Sequence, residues 1–161
     1  MIDGFLLVLT LVTALACGLV AGFFFAFSTT VMKALTRVPD SQGLTAMQTI
    51  NVVVINPLVM LALFGTGAAC AVLAIAALVE WGEAYAVYLL LGGLVYLAGV
   101  VVLTFAYHVP RNDALNAVDP LDPTAASHWT RYARTWTAWN HVRTLAPLAS
   151  ATLFTIALRV S

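Results

Sequence analysis

The chain has 161 residues, 62% of them hydrophobic and 9% charged, and its seven basic side chains balance its seven acidic ones to a formal net charge of zero. So apolar a composition excludes an ordinary soluble domain and marks an integral membrane protein. No basic run exists, so no electrostatic footprint for nucleic acid is present.

A hydrocarbon core of about 30 Å needs about 20 apolar residues to cross it. Three charge-free stretches meet that need, a fourth, Thr144 to Leu158, does so with help from the residues before it, and the expected fold is an all-α transmembrane four-helix bundle. It forms one integral membrane domain over 1–161, with spans at 4–32, 53–79, 85–108 and 137–159 and a polar connection over 109–131. No Lys or Arg precedes the first apolar run, only Asp3, so that run is expected to be a retained span rather than a cleaved signal peptide. In it, Ala14, Gly18, Gly22 and Ala26 recur at every fourth position. Such a stripe permits close helix packing, expected within the bundle; a homo-oligomer contact is the other use. Pro39, Asp40, Ser41 and Gly43 mark a short turn.

The stretch from Leu44 to Val79 is too long for one straight span, and Pro57 divides it with an expected kink. Ala46 to Asn56 reads as an amphipathic approach in which Gln48, Asn51 and Ile55 share a stripe, with Asn56 beside it. In the third span, Gly92 and Gly99 lie on one face with Tyr96, again a packing stripe. Pro110 is expected to stop this span, and Val118-Asp119-Pro120 and Asp122-Pro123-Thr124 read as turns. The fourth helix is expected from Ala125 or Ser127, with Tyr132, Trp136, Trp139, Asn140 and Arg143 along one face. Cys17 and Cys70 fall within apolar spans, where a thiol acts as a small apolar filler.

Lys33 and Arg37 flank the first loop and Arg111, Arg131 and Arg134 the third, while the second carries only Glu80 and Glu83 and the last residues only Arg159. Basic residues prefer the cytoplasmic side. The expected localisation is therefore the cell inner membrane, with loops one and three cytoplasmic and both termini outside. Polar groups able to do chemistry gather at that same cytoplasmic end, and such groups at a membrane boundary are costly enough to suggest a site.

The run Ala21 to Ser28 (AGFFFAFS), Met47 to Asn51 (MQTIN), His108 to Asn112 (HVPRN) and Trp136 to Arg143 (WTAWNHVR) resembles the anthrone oxygenase-like family of small membrane proteins. The resemblance covers essentially the whole chain in order. Its characterised members are fungal enzymes that oxidise polyketide anthrones to anthraquinones without a bound metal or flavin. It therefore implies an oxygenase or oxidase independent of cofactors, acting on a lipophilic aromatic or quinone-type small molecule.

The residues themselves support such chemistry. Oxidising an anthrone needs removal of a weakly acidic C–H proton, stabilisation of the resulting oxyanion and access for dioxygen. His108 and His141 are the candidate bases. Arg143, Asn140 and Asn112 can steady the oxyanion. Tyr132, Trp136 and Trp139 offer flat faces for a ring, and Gln48 and Asn51 offer amides to a planar oxygenated ligand. Two other readings stay open. His108 and His141, at similar depth, are the pair a bis-histidine haem would need. Alternatively the polar end serves a partner or a lipid headgroup in a non-enzymatic subunit. No dedicated metal site is expected, because no two ligands share close helical spacing.

Overall fold

A computed structural model describes residues 4–161, so Asp3 lies outside the described residues. Among the described residues there are helices and connections and no strand. Helix α1 spans Gly4–Leu35, α2 Asp40–Val53, α3 Pro57–Val79, α4 Ala86–Asn116 and α5 Ala125–Val160. All but α2 are long and apolar enough to cross a membrane. Helix α1 packs along α5, α3 along α4, and α4 along α5, with α1 also meeting α3. The short connections alternate direction, which gives an antiparallel four-helix bundle with α2 packed across one end.

Two apolar cores follow. The membrane core centres on Cys17, Cys70, Leu73, Leu89, Tyr96 and Phe154, all fully buried, the two cysteines as free thiols. Gly92 and Gly99 face this core as the spacing predicts. A Cβ at Gly92 would lie 2.6 Å from the Phe154 ring, and one at Gly99 would overlap the Ala146 methyl. Phe5, Leu15, Leu19, Val79 and other large apolar side chains point outwards, as a surface solvated by lipid chains requires. The second core lies at the α2 end, where Met32, Leu44, Met47, Leu115, Trp129 and Trp136 pack together.

Four details depart from the sequence reading. First, Gly18, Gly22 and Ala26 face outwards, and a Cβ at either glycine would meet nothing within 4 Å. Of the small-residue stripe, Ala14 alone is buried in the membrane core, and the other three positions do not serve packing inside this bundle. Second, the chain reverses at 36–39 and α2 has already begun at Asp40, whose charge suits a helix N-terminus. Gly43 is helical. It is small because a Cβ there would lie 2.5 Å from the Leu35 carbonyl oxygen and 3.0 Å from the Trp129 ring. Gly43→Val should therefore overpack the joint between α1, α2 and α5. The expected cost is about 1–3 kcal/mol, read as a lower melting temperature in nanodiscs.

Third, Pro57 does not kink one helix but restarts a new one. The Asn56 side-chain oxygen accepts from the backbone N–H groups of Leu58 and Val59, each at 3.1 Å, with Pro57 in the first turn where its missing N–H costs nothing. Fourth, Pro110 does not stop the third span. The turn before it, Thr104–His108, is widened to π-helical geometry, which relieves the proline ring's clash with the preceding turn. The helix then continues to Asn116, where the Gln48 side-chain amide donates to the carbonyls of Leu115 (3.0 Å) and Val118 (2.8 Å). The expected polar connection over 109–131 thus shrinks to 117–124, with the turns at Asp119 and Asp122 in place.

Candidate functional site

The widened turns frame the site. Besides Thr104–His108, π-helical turns occur at Phe27–Val31 in α1, Leu61–Gly65 in α3 and Leu97–Val102 in α4. Such turns often mark functional positions, because each re-aims a side chain and loosens the backbone ladder. Those in α3 and at the end of α4 border a cavity of about 570 Å³, within the range that small-molecule sites occupy. Phe23 and Phe24 of α1, Asn51 of α2, Met60 and Phe64 of α3, and Phe105 of α4 form much of its wall. A narrow annex of about 60 Å³ extends towards Trp136 and shares Asn112 and Arg143 with the main cavity. Val52, Ile55 and Phe105 are exposed on the outer surface as well as lining the cavity, so its mouth meets the lipid-facing side between α2, α3 and α4.

Three side chains in this cavity carry buried polar atoms without a hydrogen-bond partner. Both ring nitrogens of His108 lack a hydrogen bond, although the residue is fully buried and the Trp139 backbone comes near. The imidazole is held by packing instead, edge-on to Trp136 at 5.3 Å and 83°. The Thr104 hydroxyl has no partner either. Thr10, Thr13, Thr66 and Thr144 by contrast each donate to the carbonyl one turn back, at 2.6–3.1 Å. The third is Arg143, 5% exposed, with its Nε unpartnered. Among the described residues no carboxylate pairs with it. Its guanidinium lies 4.4 Å from the Phe24 ring centre and 5.1 Å from that of Trp136, so two ring faces carry its charge. Pro147 also withdraws the N–H that would otherwise bond the Arg143 carbonyl, which loosens α5 next to the site.

Buried polar groups normally find partners, and a buried cation almost always does. Three such groups around one cavity, on α4 and α5, leave it lined with uncommitted hydrogen-bonding capacity. Asn112 adds an oriented donor. Its side-chain oxygen accepts from the Tyr132 hydroxyl at 2.8 Å and from the Trp136 indole N–H at 3.1 Å, so its NH₂ is left to the cavity. Asn51 is steadied in the same wall by donating to the Asn116 side-chain oxygen at 3.2 Å.

Of the residues expected at the site, the fold brings His108, Arg143, Asn112 and Asn51 to the main cavity and Trp136 to its annex. Tyr132 stands behind Asn112 and positions it. The rest go elsewhere. Asn140 is fully buried between helices, donating to the Phe24 carbonyl and the Ser28 hydroxyl at 2.8 Å each. Asn140→Leu should cost about 1–2 kcal/mol in thermal unfolding, near the upper end for hydrogen bonds between membrane helices. Gln48 caps α4, and Trp139 lies 44% exposed against Tyr107. His141 is exposed on a separate groove. The two histidines thus line different spaces and do not form the facing pair a bis-histidine haem needs. Among the described residues no three His, Cys, Asp or Glu side chains cluster as a metal site.

Sequence reasoning missed Thr104, Asn116 and the part played by Phe24. A hydroxyl one turn before His108 in an otherwise apolar span was the available signal for Thr104. Asn116 was hidden by taking Pro110 as a helix end.

No curated protein and no solved structure matches the chain. The family model of anthrone oxygenase matches residues 57–153, a stretch holding Thr104, His108, Asn112, Trp136 and Arg143. On that match, covering more than half its length, the chain belongs to the anthrone oxygenase family.

Proposed function

We propose that the cavity oxidises a lipophilic, phenolic aromatic of the anthrone or hydroquinone type with dioxygen, without a resident cofactor. The observation that carries this reading is the pairing of an uncommitted imidazole, His108, with an uncommitted guanidinium, Arg143, on the wall of one aromatic-lined cavity. For an anthrone, His108 takes a proton from the methylene carbon. The electron pair delocalises through the rings onto the carbonyl oxygen, where Arg143 and the Asn112 NH₂ stabilise the negative charge. Dioxygen adds to the carbanion carbon and gives a hydroperoxide. Loss of the second methylene proton and cleavage of the O–O bond then release water and leave the quinone carbonyl. One dioxygen is consumed, one oxygen atom ending in the product and one in water.

The substrate reaches the site from the bilayer, through the lipid-facing mouth. The cavity end faces the cytoplasm of the inner membrane, because Lys33, Arg37, Arg111, Arg131 and Arg134 lie at that end and only Glu80 and Glu83 in the opposite loop.

The test is an oxygen-electrode assay with a hydroxylated anthrone on protein in nanodiscs. One dioxygen consumed per quinone formed, well above the autoxidation rate in empty nanodiscs, is the expected result. A rate equal to that of empty nanodiscs, with hydroquinones as well as anthrones, overturns the proposal.

A further inference from the structure

A second space, of about 590 Å³, opens along the seam between the end of α1 and the first half of α5. It shares no lining residue with the candidate site or its annex. Lys33, Arg134 and His141 line it and all three are exposed. Among the described residues no carboxylate forms an ion pair with Lys33 or Arg134. Thr29 and Thr36 also line the groove but spend their hydroxyl protons on their own helix, on the carbonyls of Phe25 and Lys33. Thr130 and Thr137 carry no such bond among the described residues. The buried Trp129 forms part of the groove's wall, and one acidic residue, Asp40, lines it from the start of α2.

The depth of this groove follows from helix length. Helix α5 has 36 residues. At 1.5 Å per residue it runs about 54 Å, well beyond a hydrocarbon core of about 30 Å. Its first half, with Arg134, therefore emerges at the level of the lipid headgroups. Lys33 stands two residues before the end of α1 and meets it there. Two fixed cations, an imidazole and two free hydroxyls around a pocket at headgroup depth match a phosphoryl group with its negative charge.

We propose that this groove binds the phosphoryl group of an anionic membrane lipid. The assignment is independent of the chemistry at His108. It is tested by native mass spectrometry of the protein released from nanodiscs made of equal amounts of phosphatidylglycerol and phosphatidylcholine. Wild type should retain phosphatidylglycerol preferentially. In Lys33→Ala/Arg134→Ala the preference should fall by about 25-fold, roughly fivefold for each cation. The control Arg111→Ala/Arg159→Ala, which loses the same charge elsewhere, should keep it.

Inorganic phosphate is the second probe. If it fails to displace the lipid, the occupant is the headgroup. If it displaces the lipid with the same dependence on Lys33 and Arg134, the groove takes the free anion. Equal retention of the two lipids by wild type, or an undiminished preference in Lys33→Ala/Arg134→Ala, overturns the assignment. Should that double variant fail to fold, Asp40→Asn serves instead. It removes the one opposing charge and should raise the preference; no change overturns the proposal.

Discussion

Oxygen uptake with an anthrone should fall by about 100- to 10,000-fold when His108 is replaced by glutamine, the range that loss of a general base commonly costs. The melting temperature should change little. His108 gives no hydrogen bond to the fold, since both its ring nitrogens are unpartnered, and glutamine keeps much of its volume against Trp136. That separation distinguishes a chemical role from a structural one. A buried histidine that merely fills space would lose stability on replacement and leave turnover intact. Measuring kcat/KM by oxygen electrode and unfolding by circular dichroism on the same preparation decides between them. Turnover within a few-fold of wild type would remove His108 from the proposed chemistry.

The second large effect is expected at Arg143, and its two readouts should move in opposite directions. Arg143→Met should lower kcat by about 100- to 1,000-fold, as loss of an oxyanion-stabilising group does. It should also leave the fold as stable as wild type or more stable, by up to about 2 kcal/mol. The reason is that wild type buries a guanidinium, 5% exposed, that forms no ion pair among the described residues, and ring faces offset its desolvation. Methionine fills similar volume without that cost. Loss of stability with unchanged turnover would instead make Arg143 a packing element of α5. Parallel measurement of thermal unfolding in nanodiscs and of single-turnover rates separates the two.

Much of this was legible from residue order alone. The apolar runs specify four membrane spans, because backbone polar groups in lipid must be satisfied within a helix and each helix must cover the hydrocarbon thickness. Helical spacing places Trp136 and Arg143 on one face of α5, and length places His108 at the depth of Arg143. Asn56-Pro57 reads as a kink, although an Asn before a Pro is also the signal of the helix start found there.

What residue order leaves open is which neighbour covers each face. Gln48 and Asn51 share one stripe, yet Gln48 meets the end of α4 and only Asn51 reaches the cavity, because α4 continues past Pro110 instead of ending there. His141 and Arg143 stand two residues apart and face different spaces, one beside α1 in an open groove and the other in the buried cavity. Asn140, between them, spends its NH₂ on α1. Thr104 lines the cavity at the start of a π-helical turn, which the sequence does not announce. In a soluble protein the apolar stripe of a helix tells which face is covered. Here lipid chains are as apolar as the core, so the hydrophobic pattern is nearly uniform around each span. The sequence by itself determined the membrane class and the four apolar helices. Only the packing of one helix against the next decided which polar groups meet, since that choice rests on side-chain shape and on partners far apart in the chain.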